Sequence, residues 1–459
     1  MKKKINHILP ALVLTASLGL TTVSCNGFLD EMPDNRTELN TDQKIAKLLV
    51  SAYADVSPNE LFELYSDNSD DSGPTYGYYK LSEQECYHWQ DTKEEYQDTP
   101  NSLWGGYYSA IAAANMALNA IEEKGNPASL DPQRGEALVC RAYCHFMLAN
   151  IFCNAYDTHA SQSLGVPYME EVETTVSPRY ERGTLEEVYR KVERDLLEGI
   201  DLISDDSYSV PKYHFTRKAA YAFAARFYLY YMKPDFSNCD RVIDFATRVL
   251  GTNPADLLRN WEALGNLSVN GNVQADAYIA SSNEANLLIS STVSNWGAIG
   301  SDYLIGPRYF HNQTLATSET CLSSGLWGSS DYFYLKPFST NGFVASILRK
   351  SGLYEGTYLY YMPVLFSTDE TLLCRAEAYA LKKMYAQSAA DITSWQRAYT
   401  RNKSVLTPEQ INTYYDRMSF YTPFTQQTPK KKLAPDFMIE EGMQENFIHC
   451  ILHIRRITT

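Results

Sequence analysis

Residues 215–231 read FTRKAAYAFAARFYLYY, and residues 242–250 read VIDFATRVL. In the first segment Thr216 is a candidate N-cap, Phe215 can pack before it, and few polar side chains follow, so we expect a helix covered on most sides. In the second segment apolar residues recur at i, i+3, i+4, i+7 and i+8, which indicates an amphipathic helix ending at Gly251. The many alanines of the first helix are small enough to let a neighbouring helix approach its backbone closely. The sequence therefore predicts an antiparallel pair similar to a degenerate tetratricopeptide repeat.

The same helical pattern recurs along the chain and is interrupted by two long segments that lack it. Helical repeat pairs are predicted within about 41–124, 133–204, 215–251 and 368–400. Loop insertions are predicted at about 65–100 and 253–361, the second with short strands such as Asn286–Ser290. We therefore expect a mainly α fold of tetratricopeptide-like helical repeats, with long loop insertions and a few short strands.

The composition is that of a globular protein with an acidic surface. Of 459 residues, 44% are hydrophobic and 21% are charged, and the formal net charge is −15. A polyanion would have to bind against this charge, so nucleic acid is not expected as a partner. Tyrosine is unusually abundant, with 35 residues against 18 phenylalanines, which favours surfaces that are both apolar and hydrogen-bonding.

The amino terminus resembles the signal of an exported lipoprotein. Lys2, Lys3 and Lys4 precede a mostly apolar run over residues 8–20, which is too short to span a bilayer, and the run leads to Ser24-Cys25. Residues 1–24 are therefore predicted to be a lipoprotein signal peptide, with Cys25 as the lipidated first residue of a single domain over 25–459. The alternative is an ordinary secretory signal in which Cys25 is incidental.

Outside the loop insertions, the polar residues in helical patterns are interpreted as structural. Asn115 and Arg141 lie on or near apolar faces, where a paired or hydrogen-bonded core group is expected. The eight cysteines after Cys25 form no Cys-x-x-Cys pair, so a zinc site is not expected and disulfides are not required. Calcium at Asp67, Asp70 and Asp71 is conceivable, but their spacing departs from an EF-hand loop and a solvated turn is preferred. No metal site and no cofactor are predicted.

Several stretches in order resemble the SusD/RagB family of nutrient-binding outer-membrane lipoproteins. They are Cys25 with FLD at 28–30, LWGGYY at 103–108, EALVCRAY at 136–143, GVP at 165–167, LEEVY at 185–189, KAA at 218–220 with ARFYL at 225–229, and RAEAY at 375–379. The resemblance implies a helical SusD-like α-α superhelix with four tetratricopeptide-like repeats. It also implies a non-enzymatic lipoprotein, anchored in the outer membrane and facing the cell exterior, that captures oligosaccharides and hands them to a TonB-dependent, SusC-like transporter.

Two positions depart from the family's pattern. The family usually has Arg three residues before Glu370, where this chain has Ser367. Members usually continue past an Arg-Arg-x-Glu segment into a Gly-x-Arg-x-x-Asp motif, whereas this chain reads Arg455-Arg456-Ile457-Thr458 and stops at Thr459. The second departure gives the expectation of a truncated carboxyl terminus.

Three functions are weighed for this chain. In the first, glycans bind to loop aromatics that stack on the apolar faces of sugar rings while neighbouring polar groups bond the hydroxyls. The second is a peptide-binding or scaffold protein, because helical repeats present concave surfaces and some members of the family bind peptides. The third is a glycoside hydrolase, which needs two carboxylates at a fixed separation, but the sequence contains no recognised catalytic motif.

The ligand site is predicted in the two loop insertions. Aromatic residues on the helices of a repeat stack pack against neighbouring helices, whereas those in long loops have less core to fill. The candidate stacking residues are Trp89, Tyr76, Trp296 and Trp327. The candidate hydrogen-bonding residues are Asp67 and Asp70. The alternative for each aromatic is that it packs its loop onto the helices.

Overall fold

The computed structural model describes residues 39–71, 73–75, 80–95, 97–175, 178–268, 273–294, 296, 308–310, 317–335, 338–340, 343–345, 352–355, 358–423 and 425–458. Most of the described chain is helical, which confirms the predicted fold class. The helices are α1 (Asp42–Leu49), α2 (Asn59–Leu64), α3 (Leu81–Tyr87), α4 (Pro100–Glu123), α5 (Asp131–Phe152), α6 (Leu185–Leu202), α7 (Arg217–Tyr230), α8 (Ser237–Leu250), α9 (Trp261–Gly265), α10 (Val273–Ile279), α11 (Thr368–Leu381), α12 (Tyr385–Tyr399), α13 (Pro408–Asp416) and α14 (Met443–Thr458).

The segment 215–250 forms the predicted helix pair, α7 and α8. Thr216 caps α7, since its hydroxyl accepts a hydrogen bond of 3.2 Å from the Ala219 N–H. Phe223 and Phe227 of α7 are fully buried, as expected for a helix with almost no polar face. The apolar stripe of α8 is also buried, and α8 ends at Gly251 with a positive φ of 63°, a conformation that favours glycine.

Close helix packing holds α5 against α6. Gly135 of α5 and Gly199 of α6 face each other, and a Cβ atom added to either would lie 2.7 to 2.8 Å from the carbonyl oxygen of the other. A larger residue at either position would force the helices apart. Similar pairings join α4 to α5, α7 to α8 and α11 to α12.

A buried polar network ties α4, α5 and α6 to the loop before α6. Arg141 pairs with Asp195 at 2.6 Å and donates to the Asn115 side chain at 3.0 Å. Asn115 donates in turn to the Met169 carbonyl. The structural roles predicted for Asn115 and Arg141 are confirmed, because each buried group finds partners within the protein.

Short strands fasten the two insertions to each other and to the helices. The strands are β1 (Asp70–Asp71), β2 (Asn286–Ile289), β3 (Thr292–Val293), β4 (Tyr309–Phe310), β5 (Phe338–Thr340), β6 (Phe343–Ala345), β7 (Gly352–Glu355), β8 (Tyr358–Tyr361) and β9 (Val364–Ser367). All described pairings are antiparallel: β1 with β4, β2 with β9, β3 with β8, β7 with β8, and β5 with β6. The β1–β4 pair joins the first insertion to the second.

The insertions hold more helix than the sequence indicates. Helix α3 lies in the first insertion, and α9 and α10 lie in the second. Two further helices, α13 and α14, follow the last predicted repeat.

The remaining described features concern cysteines and membrane crossing. The eight cysteines after Cys25 are free, and most of them are buried. Within the described part of the chain, each helix is too short or too polar to traverse a lipid bilayer.

Candidate functional site

Trp89 occupies an unusual backbone position at the end of α3. Its φ of 55° lies in the left-handed region, and the N–H groups of Trp89 and Gln90 bond the carbonyls of Cys86 and Glu85. These bonds form a Schellman motif, in which glycine normally occupies the position that Trp89 holds. A non-glycine residue there costs about 1 kcal/mol or more, and such strain clusters at functional sites.

The indole of Trp89 is turned to solvent and supported from below. Its side chain is 72% exposed. Its ring stacks on that of Tyr65, with centroids 4.4 Å apart and planes inclined by 14°. Tyr65 directly follows α2, so two helix ends meet to present one flat, exposed ring. Burial raises the pKa of the Tyr65 hydroxyl to about 12, with Cys86 adding to the effect, so this hydroxyl is neutral.

Two further rings, those of Tyr87 and His88, extend this surface, and the buried ring of Tyr309 supports them from below. Tyr87 and His88 precede Trp89, and Tyr309 of β4 lies 4.7 Å from Tyr87 and 5.9 Å from His88, measured between ring centroids. We call Tyr65, Tyr87, His88, Trp89 and Tyr309 the Trp89 platform. Tyr309 comes from the second insertion, so the platform is built by both insertions, although the sequence separates its two parts by 220 residues.

The β1–β4 pair provides charged groups beside the platform. Asp71 lies opposite Tyr309 in the pair. The Arg308 guanidinium donates two hydrogen bonds, of 2.5 and 2.6 Å, to the Asp71 carboxylate. These bonds are the main reason that the pKa of Asp71 is lowered. The predicted hydrogen-bonding residue Asp70 is next to Asp71 and accepts from the Asp71 N–H at 2.8 Å. Its ligand role stays a prediction.

Asp67 is engaged in ion pairs away from these rings. Its carboxylate binds Lys431 at 2.6 Å and Arg456 at 2.9 Å, and both cations also approach the buried carboxylate of Glu319. Although partial burial by itself raises the pKa of Asp67, the two cations hold it below its ordinary value. Asp67 thus ties the first insertion to α14, and its predicted contact with ligand is untested.

The two other tryptophans of the prediction lie in different surroundings. Trp296 is 8% exposed and lines a cavity between the helices and the strands of the second insertion. Trp327 is 2% exposed and packs against Phe333, Trp395 and His453 at centroid distances of 4.9 to 5.7 Å. Trp327 therefore has the environment of a core residue that fixes the second insertion to α12 and α14, while its ligand role stays a prediction.

Tyr76 and Cys25, the remaining residues of the predicted site and anchor, lie outside the described residues. Asp67, Asp70 and Asp71 do not converge on one point that a cation could occupy, because Asp67 and Asp71 bind different basic side chains. In the described part of the chain, the ligand atoms of Asp157, His159 and Asp436 lie within 4.8 Å of one another. Asp157 and Asp436 already accept backbone N–H groups of this same turn.

Sequence reasoning missed Tyr65, His88, Tyr309 and Arg308. Tyr65 and Tyr309 lie at the ends of a short helix and a two-residue strand, which carry too few residues for a periodic signal. The only sequence signal for the platform was the density of aromatics in the two insertions.

Comparison with known proteins agrees with this architecture. Residues 27–229 match a SusD-like family model described as starch-binding and associating with the outer membrane. A search of curated protein sequences finds no match.

Solved structures similar to this chain include three from Bacteroides. A SusD superfamily protein of Bacteroides vulgatus matches with a TM-score of 0.56 and 18% identity over 81% of this chain and 83% of its own. A SusD superfamily protein of Bacteroides fragilis matches with a TM-score of 0.59 and 15% identity, over 91% of this chain and 88% of its own. Surface glycan-binding protein A of Bacteroides uniformis matches with a TM-score of 0.53 and 14% identity, over 81% of this chain and 84% of its own. The family-model match over residues 27–229 and the helical fold shared with these structures make this chain similar to the SusD-like family, whose model is described as starch-binding and associating with the outer membrane.

Proposed function

We propose that this protein captures oligosaccharides through the Trp89 platform, without catalysis, and passes them to a TonB-dependent transporter of the outer membrane. The observation that carries the proposal is the exposed indole of Trp89, held in a strained conformation on top of Tyr65. The outer face of the indole packs on no described ring and adds little to the stability of the fold. A ligand that covers the ring gains contact with this face.

The chemistry of the platform suits a sugar. The apolar C–H face of a pyranose ring can stack on the Trp89 indole, and Tyr65 beneath keeps the indole flat. His88, Asp70 and the Arg308–Asp71 pair supply donors and acceptors within the same region. An extended oligosaccharide would meet several of these groups in sequence, which raises affinity without a deep pocket.

The charge state of the platform argues against hydrolysis. A glycosidase needs a carboxylic acid that keeps its proton near neutral pH, beside a second carboxylate. The bonds from Arg308 lower the pKa of Asp71, so this carboxyl is ionised and occupied. Asp71 therefore does not fit the role of a proton donor, and we propose binding without turnover.

Anchoring and delivery complete the proposal. Lipidation at Cys25 would hold the chain at the outer membrane facing the cell exterior, and a SusC-like barrel would receive the glycan. Incorporation of labelled palmitate that is lost in Cys25→Ala, and recovery of a TonB-dependent barrel with the native protein, are the expected results. Unchanged labelling of Cys25→Ala, or purification that never recovers such a barrel, would contradict this part.

The test of the binding site uses maltoheptaose and a glycan and peptide array. Loss of one stacked ring weakens binding by about 1 kcal/mol, so calorimetry should show a severalfold lower affinity for Trp89→Ala. Tyr213→Ala, which removes a partly exposed aromatic outside the platform, should bind like wild type. Wild-type affinity in Trp89→Ala, release of shorter sugars, or binding to peptides alone would reject the proposal.

A further inference from the structure

A partly open cavity lies apart from the Trp89 platform. It is a cavity of about 520 Å³ between α2, α4, α5 and α7 on one side and β8 and β9 on the other. None of the five platform residues lines it. Its size falls in the range of about 300–1,000 Å³ that small-molecule sites occupy. It is therefore large enough for one or two sugar rings and too small for a long glycan.

Arg226 is held at the wall of the cavity, and the described residues leave one edge of its guanidinium unbonded. Its Nε and Nη2 atoms bind the carboxylate of Glu370, and Nη2 also donates to the Leu365 carbonyl at 2.6 Å. Its guanidinium lies 4.1 Å from the centre of the Phe366 ring. These contacts fix the guanidinium, whereas Nη1 has no hydrogen-bond partner among the described residues. Two oriented N–H donors thus remain for a ligand.

Three tyrosine hydroxyls share this wall. Tyr107, Tyr143 and Tyr230 line the cavity near Arg226, and their hydroxyls bond to none of the residues that the structure describes. Tyr107 and Tyr143 are buried, and buried hydroxyls normally find a partner, so these two hydroxyls and that of Tyr230 are available to molecules inside the cavity. Tyr230 is 52% exposed although it belongs to a helix of the core, and it lines this cavity. Burial raises the pKa of each hydroxyl, so each stays neutral and can both donate and accept.

The other walls combine aromatic rings with charged side chains, most of which are paired with an opposite charge. Trp296, Tyr361, Phe146 and Phe215 supply ring faces or edges. Most charged side chains of the lining are in ion pairs, since Glu370 binds Arg226, Asp369 lies 3.6 Å from Arg259, and Arg455 binds Glu377. Glu63, which also lines the cavity, accepts a hydrogen bond of 3.4 Å from the Asn68 side chain. A charged ligand would have to disrupt these pairs or lose its hydration without compensation.

We propose that this cavity is a separate binding site for a neutral monosaccharide or disaccharide. The three hydroxyls and the free edge of Arg226 bond the hydroxyls and ring oxygen of the sugar, and the surrounding rings cover its C–H faces. The site goes beyond the proposed function, because its ligand is short and its residues are not those of the platform. It would let one protein hold a long glycan outside and a short sugar inside.

Calorimetry on the full chain, in a detergent without a sugar headgroup, tests the cavity with D-glucose, D-galactose, D-mannose and maltose. D-glucuronate serves as the charged probe. The main variant is Tyr143→Phe/Tyr230→Phe, which removes two hydroxyls and keeps both rings. The matched control is Tyr213→Phe, which removes a hydroxyl outside the cavity. Ser290→Phe fills the cavity from a different residue of its lining, and Trp89→Ala removes the platform.

At least one neutral sugar should bind saturably to wild type, Trp89→Ala and Tyr213→Phe. Loss of the two hydroxyls should weaken that binding by about tenfold, and Ser290→Phe should abolish it at an unchanged melting temperature. The proposal is overturned if no neutral sugar binds Trp89→Ala, if the double variant binds like Tyr213→Phe, or if D-glucuronate binds more tightly than D-glucose. These outcomes do not depend on maltoheptaose binding at the platform, so the two proposals can fail separately.

Discussion

Trp89 and Trp327 come from the two long insertions, yet the first is 72% exposed and the second 2% exposed. Among the described residues, Trp89 stacks on one ring, that of Tyr65, and it projects from the end of α3. Trp327 is enclosed by Phe333, Trp395 and His453, and its own neighbour Gly325 must lack a side chain because a Cβ there would lie 2.3 Å from the indole. Similar sequence contexts therefore produce a surface platform in one case and a core contact in the other.

The backbone explains this difference. The Schellman motif after α3 turns the chain at Trp89 into the left-handed region and directs the indole outwards. At Trp327 the chain is held by hydrogen bonds between Gly325 and Gly328, in both directions, and by the Asn402 side chain. An aromatic in a loop is thus not informative about its exposure until the local turn and its tertiary partners are known.

The largest expected effect is on stability at Trp327. Trp327→Ala would leave a cavity in a packed cluster, so the free energy of unfolding should fall by about 3–5 kcal/mol. Thermal and denaturant unfolding measure the change, with Trp89→Ala as the matched variant that should alter stability little. A loss below about 1 kcal/mol in Trp327→Ala would show that the two tryptophans do not differ as described.

The next effect concerns acid. Burial in the Trp327 cluster, aided by the nearby positive charge of Arg456, lowers the pKa of His453 to about 3. The pKa of this histidine in the unfolded chain is about 6.5, so below that pH the unfolded chain binds a proton that the folded chain does not bind. The stabilisation that neutral His453 contributes is therefore fully present above pH 6.5. As the pH falls towards 3, the free energy of unfolding decreases by up to about 1.4 kcal/mol per pH unit.

The comparison of wild type with His453→Gln isolates this group, since other buried residues titrate equally in both proteins. Between pH 6.5 and 4.5 the melting temperature of wild type should fall more steeply than that of His453→Gln. Parallel curves would mean that His453 is not held neutral by the cluster.

The smallest effect separates strain from stacking at Trp89. Trp89→Ala and Trp89→Gly both remove the indole, but only glycine adopts a positive φ without cost. Trp89→Gly should therefore be more stable than Trp89→Ala by about 1 kcal/mol, while both lose affinity for maltoheptaose to a similar extent. Equal melting temperatures for the two variants would indicate that the backbone at Trp89 is not strained.

The prediction of the fold succeeded where the elements are long and bounded by caps. Thr216, Thr184 and Ser367 each accept a hydrogen bond from the third residue that follows, and each begins a helix whose span the pattern predicted. Of the short helices, α1 was predicted within 41–124, whereas α3, α9 and α10 fell in predicted loops, because tertiary contacts stabilise them and propensity alone does not. The candidate site was predicted only in part. The density of aromatic residues indicated that it lies in the insertions, but it did not indicate which rings contact each other.

The sequence by itself determined the helical repeats, the pairing of α7 with α8, the structural roles of Asn115 and Arg141, and the resemblance to the family. These features rest on periodicity, capping and motif order, which are local properties of the chain. Only the tertiary structure decided that Tyr309 joins Trp89, that Asp67 binds Arg456, and that Trp327 is buried. Contacts between residues hundreds of positions apart depend on how the insertions fold back on the helices, and no local pattern encodes that path.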